Sequence, residues 1–128
     1  DQESLHYGMA KCLENSTSVI IGAPFASGIL ATGSGTNSKY AYSNATEELQ
    51  AKVRNIEAVC LSHDVSLKAA ALQFVLAHPA VVSTIPGATS GQQLSENIVC
   101  LEEKVPAHFW ADLKSERLIV SDAPTPKT

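Results

Sequence analysis

Val81-Val82-Ser83-Thr84-Ile85-Pro86-Gly87-Ala88-Thr89-Ser90-Gly91-Gln92-Gln93-Leu94-Ser95-Glu96-Asn97 is the stretch that decides the fold. Val81, Val82, Thr84 and Ile85 are strand formers in a run too short for a helix. Pro86-Gly87 ends the run, because proline has no N–H for a ladder and glycine takes backbone angles that other residues avoid. Ser90 precedes Gln93 by three positions, the spacing of a capping box, so a helix is expected to open there. A strand that runs through a glycine turn into a capped helix sets helix N–H groups at the end of a sheet. That arrangement suits a phosphate, and it also serves an ordinary strand–helix turn.

Upstream, Val19, Ile20 and Ile21 form a second apolar run, read as a strand over Ser18–Ala23 and closed by Pro24. Continuous runs of this kind suit parallel strands covered on both faces. The intervening chain reads as helical crossover. Leu49, Val53, Ile56 and Cys60 fall on one helical face, with Asn44 and Glu47 as the expected cap. Ser66 is expected to cap Leu67–Ala77, which is apolar nearly all round and therefore buried between layers. Residues 3–14 read as an amphipathic helix on Leu5, Met9, Ala10 and Leu13. Ala26–Asn44 reads as a long loop. Past the second strand, Leu94, Ile98 and Leu101 mark a core stripe, and Pro106 at N1 opens a last helix on Phe109, Trp110 and Leu113. Residues 121–128 read as an extended tail. Two parallel strands joined by helices define an α/β chain.

Composition excludes several classes. The formal net charge is −4 and no basic run exists, which argues against nucleic acid as a partner. With 45% hydrophobic and 17% charged residues the chain is not a disordered one. No apolar run of about 20 residues is present to span a membrane. Cys12, Cys60 and Cys100 form no CxxC pair and read as buried free thiols in a reducing compartment, which points to the cytoplasm. The four histidines lack an i, i+4 pair, so no metal ligand set is proposed. Cys60 one turn before His63-Asp64 invites a nucleophilic dyad, but Cys60 lies on the apolar helix face and nothing supplies an oxyanion hole. Gly33-Ser34-Gly35 lacks the third glycine of a dinucleotide fingerprint. Asn15-Ser16-Thr17 and Asn44-Ala45-Thr46 match glycosylation sequons, read here as chance.

Three blocks in register resemble the aldo-keto reductases, in the branch of D-threo-aldose and L-fucose 1-dehydrogenases. They are Gly22–Leu30, Ala69–Pro79, and Ile85-Pro86-Gly87 with Glu96-Asn97. The resemblance implies a (β/α)8 barrel. A whole barrel needs about 250 residues, so 128 residues are expected to be its C-terminal part, a single partial barrel over 1–128. It implies a hydride-transferring oxidoreductase using NAD or NADP on a sugar or small aldehyde or alcohol. The family's catalytic tyrosine and its partners come from earlier strands, so no catalytic role falls to Tyr7, Tyr40 or Tyr42. Cofactor binding does carry over. Pro24, Phe25, Ser27, Gly28 and Leu30 match the loop that approaches the pyrophosphate. Ile85, Pro86, Gly87 and Ala88 match the segment beside the adenosine ribose, and Glu96 and Asn97 the pair that contacts adenine. The two positions that grip a 2′-phosphate in many members align with Gly87 and Gln93, neither of them charged, so NAD is favoured. The alternatives are a non-catalytic barrel subunit that senses the cofactor and an inactive truncated fragment.

Overall fold

The computed structural model describes residues 2–35, 38–41 and 43–127, so Tyr42 lies outside the described residues. A 3-10 turn at Glu3–Leu5 leads into α1 (Gly8–Glu14), then β1 (Val19–Gly22). A second 3-10 turn, Ala26–Gly28, runs into the one-turn helix α2 (Ile29–Thr32). The small hairpin β2 (Lys39–Tyr40) and β3 (Ser43–Asn44) precedes α3 (Glu47–Ser62) and α4 (Leu67–Leu76). β4 (Val81–Ile85), α5 (Gly91–Glu102) and α6 (Ala107–Ser115) complete the order.

β1 and β4 pair in parallel, as the two apolar runs with a helical crossover require. The register runs from Val19 against Val81 to Gly22 against Ile85, with one irregularity after Val19 that skips Val82. Thr84 Oγ1 donates to the Ile21 carbonyl at 3.0 Å across the pair. Helices cover one face only. Ile20, Val82 and Ile85 are exposed, so the two-sided burial inferred from the apolar runs is not met within this chain.

The core lies in the helical layer. Val59 and Cys60 of α3, Ala69 to Leu72 of α4 and Phe109, Trp110 and Leu113 of α6 form one buried cluster. Phe109 meets Trp110 edge-on at 4.9 Å between ring centroids, a favoured aromatic geometry. The small side chains of Ala69, Ala70 and Ala71 let neighbouring elements approach α4 closely.

Several local expectations need correction. α3 is capped by Thr46, whose side chain accepts from Leu49 N; Asn44 instead closes the hairpin and its Oδ1 accepts from Lys39 Nζ. The stretch Ala26–Asn44 is not one loop: isoleucine and leucine at 29 and 30 wind α2 against α4. Pro106 is the N-cap of α6 and not N1. Cys12 is only partly buried, and Leu13 is exposed, because α1 buries Met9 alone. The largest correction concerns α5. Leu94, Ile98 and Leu101 face outward, while Asn97 and Cys100 are buried. The α4–α5 seam is polar and draws the other side of the helix inward: Gln73 Nε2 donates to the carbonyls of Cys100 and Glu103 at 3.0 and 2.8 Å.

Candidate functional site

Parallel pairing puts the carboxyl ends of β1 and β4 side by side, with Gly22 opposite Ile85. The Pro24 loop and the Pro86 loop therefore leave the sheet at the same end, where active sites form in α/β barrels. That registration brings the two sequence-predicted segments together although they are far apart in the chain.

The first loop holds an unusual backbone. Ala23, Ala26 and Ser27 all have positive φ, at 50°, 48° and 62°, followed by Gly28 at 104°. A non-glycine residue in the left-handed region costs about 1–2 kcal/mol. Three in one loop persist only where the surroundings impose them. The loop folds on itself: Phe25 O accepts from both Gly28 N and Leu30 N, and Ala23 O accepts from Ala26 N. These three amides are thus already bonded within the loop. Pro24 and Phe25 are buried and Ser27 is exposed. Leu30 packs against the core cluster, so its side chain supports the loop from below.

On the second side, Ile85, Gly87, Ala88 and Gln93 are exposed and Pro86 is partly so. Ser90 caps α5 as expected, its hydroxyl accepting from Gln93 N at 3.2 Å. The return contact differs from a standard capping box, since Gln93 Oε1 takes the N–H and hydroxyl of Thr89. Gln93 is thereby tied to the turn.

Glu96 and Asn97 follow one turn further along α5. Both Glu96 oxygens are held, Oε1 by Gln92 Nε2 at 3.1 Å and Oε2 by Lys68 Nζ at 3.3 Å. Lys68 Nζ also stands 5.8 Å from the centroid of the Phe25 ring. Sequence reading missed Lys68, since a lone lysine in the first turn of a helix reads as solvated. Asn97 is 3% exposed, and neither its Nδ2 nor its Oδ1 has a hydrogen-bond partner among the described residues. A buried amide without partners costs about 1–3 kcal/mol per group. An asparagine amide presents a donor and an acceptor side by side, which matches the N6/N7 edge of adenine. The Lys68–Glu96 pair joins the helix after β4 to the Phe25 ring of the loop after β1, and Asn97 follows Glu96 in sequence with its amide enclosed.

Other candidates are structural. Cys60 is no nucleophile: burial, and then the carboxylates of Glu103 and Glu57, push its thiol up to about 11. His63 turns away from that role and bonds Asp112 Oδ2 at 2.8 Å, joining the end of α3 to α6. Gly33-Ser34 is gripped by Glu57, which accepts from Ser34 N at 3.3 Å and from the Ser34 hydroxyl. Thr46 of the second sequon serves as a helix cap. No group of three potential metal ligands occurs among the described residues, and no single helix there is long and apolar enough to cross a membrane.

Residues 8–117 match the model of the Aldo/keto reductase family. The chain is 40% identical to pyridoxal 4-dehydrogenase of Microbacterium luteolum over 101 residues, 79% of this chain and 30% of that protein. It is 37% identical to D-threo-aldose 1-dehydrogenase of a Pseudomonas species over 116 residues, 90% of this chain and 34% of that protein. Its fold is similar to a thermostable aldo-keto reductase solved with the inhibitor epalrestat, with a TM-score of 0.60 and 21% identity. That match covers 90% of this chain and 35% of the other. The chain thus spans about a third of the length of the relatives it matches.

Proposed function

The chain belongs to the aldo/keto reductase family, and from that premise we propose that it supplies the adenosine and pyrophosphate end of the cofactor site in a nicotinamide-dependent dehydrogenase. The observation that carries the reading is Asn97, whose buried amide lacks partners among the described residues on the helix that follows β4. Asn97 and Glu96 would hold the adenine. Ile85, Pro86, Gly87 and Ala88 would line the ribose, and the loop through Phe25, Ser27 and Gly28 would meet the pyrophosphate with groups other than the amides of Ala26, Gly28 and Leu30, which are bonded within the loop. When bound, the cofactor accepts or donates a hydride. The residues described here bind and orient it and do not take part in proton transfer. The substrate is a sugar or a small carbonyl or alcohol compound, in keeping with relatives named as aldose and pyridoxal dehydrogenases.

NAD is the favoured cofactor. Residues 81–98 contain neither lysine nor arginine. The one cation that touches the site among the described residues, Lys68, is already neutralised by Glu96. A 2′-phosphate would find no unpaired cation among these residues, and charge-assisted hydrogen bonds are about twice as strong as neutral ones. The test is the ratio of kcat/KM for NAD and NADP in the full-length protein, with aldoses and pyridoxal as substrates. A preference for NADP of tenfold or more, about 1.4 kcal/mol, refutes the cofactor assignment.

A further inference from the structure

We propose that Lys68 is a positioning residue for the cofactor: it ties the strained loop after β1 to the helix after β4 and screens the Glu96 carboxylate from the anionic ligand. The inference rests on the dinucleotide reading above. Its basis is that one ammonium group touches both candidate segments, at 3.3 Å from Glu96 Oε2 and 5.8 Å from the Phe25 ring centroid. A cation over an aromatic face is held by the ring quadrupole.

The base of Lys68 is itself fixed. It occupies the second position of α4, whose cap residue Ser66 donates its backbone N–H to Glu103 Oε1 at 2.7 Å. Ser66 Oγ also lies 3.8 Å from Cys100 Sγ of α5. The start of α4 is thereby pinned to α5, and Lys68 reaches from that fixed point to the loop. Glu96 is held in one orientation, with each oxygen bonded to a different partner.

Charge gives the direction of the effect. Both dinucleotides carry a negatively charged pyrophosphate, and NADP adds a phosphate dianion. A free carboxylate on α5 would repel either, and NADP more strongly. Lys68 cancels that repulsion while leaving no spare positive charge to reward the extra phosphate. An exposed ion pair alone contributes little to stability, so the consequence is expected in cofactor affinity and not in folding.

The experiment uses the full-length protein, with dissociation constants for NAD and NADP measured by calorimetry for the wild type, Lys68→Met, Lys68→Gln and Lys68→Arg. Methionine and glutamine keep an unbranched side chain and remove the charge. Expected are a dissociation constant for NAD weakened about fivefold in the two neutral variants, near-wild-type affinity in Lys68→Arg, and an unchanged kcat at saturating NAD. The loss for NADP should exceed that for NAD, and both losses should shrink at high salt. Wild-type affinity in the neutral variants overturns the proposal. So does a parallel fall of kcat and melting temperature without a change in affinity, which marks a purely structural lysine. A wild-type protein that binds neither dinucleotide overturns the functional reading and this inference with it, an outcome distinct from the other two.

Discussion

Replacing Asn97 with leucine separates a binding role from a structural one, because the two roles predict opposite signs. The side chains are close in size, and the site is 3% exposed. Asn97 Nδ2 and Oδ1 have no partner among the described residues. Each such group costs about 1–3 kcal/mol of lost hydration. Leucine removes both penalties and adds apolar burial, while its different shape returns up to about 1.5 kcal/mol as strain. The expected net effect is a gain of about 1–3 kcal/mol in stability. Binding should move the other way. Loss of a paired donor and acceptor to a base edge costs about 1–3 kcal/mol, or roughly 5- to 150-fold in the dissociation constant of NAD.

The assay is urea unfolding of the full-length protein, followed by an NAD titration of the same preparations. Stability gained at the expense of ligand affinity is the signature of a residue kept for function. An Asn97→Leu variant that loses more than about 1 kcal/mol while binding NAD as the wild type does would refute the reasoning, because a satisfied structural amide behaves that way.

Three further outcomes are expected. Gly33→Ala should destabilise by about 1–3 kcal/mol in denaturant unfolding, because φ is +85° there and a Cβ would also displace the flexible Glu57 carboxylate from Ser34; a loss under about 0.5 kcal/mol would mean the turn relaxes freely. His78 is buried, its Nδ1 accepts from Ala80 N, and burial lowers its pKa below the usual 6.5. The unfolded chain therefore binds the proton more readily, so this contribution is complete above about pH 6.5 and is lost as pH falls through the lower folded value; His78→Gln should flatten the melting profile between about pH 8 and 5, and an unchanged slope would exclude the link. The 128-residue chain made alone should associate and show no aldose-dependent NADH formation, since Ile20, Val82 and Ile85 are exposed on a two-stranded sheet with open edges and Ile98 and Val99 are exposed on α5; a monodisperse monomer in light scattering, or turnover, would contradict this.

Much of the fold was legible because the signals are local. Val19–Ile21 and Val81–Ile85 are β runs of the right length, and Ser66 and Ser90 cap the helices they precede. The reading failed where the deciding partner is remote. The stripe Leu94, Ile98 and Leu101 is a fair amphipathic pattern, yet periodicity reports only that an apolar face exists. Which face turns inward was settled by Gln73 and Ser66 on the α4 side, whose polar groups seek the Cys100 side of the helix. The cap of α3 fell two residues from its expected place because Thr46 and Asn44 both suit the role, and the hairpin claimed Asn44. At the site, the positions of the two loops were visible in the strand–turn–helix grammar. Lys68 was not, since its meaning comes from Phe25 and Glu96, neither of which is its neighbour in sequence.

The distribution of backbone strain supplies a separate argument for the location of the site. Among the described residues, seven non-glycine positions have positive φ. Ser16, Asp64 and Arg117 each stand just past the C-cap of a helix, where a left-handed residue satisfies the last carbonyls, so helix termination explains them. Ala41 lies between β2 and β3, where a tight hairpin turn demands such angles. The remaining three, Ala23, Ala26 and Ser27, end no long helix and close no hairpin. All three fall within five residues at the carboxyl end of β1, opposite the turn that leads to Asn97. Glycine there would relieve the left-handed cost of about 1–2 kcal/mol per residue at some expense in chain entropy. The chain instead keeps alanine and serine, so the strain is concentrated where the loop leaves β1, beside the carboxyl end of β4.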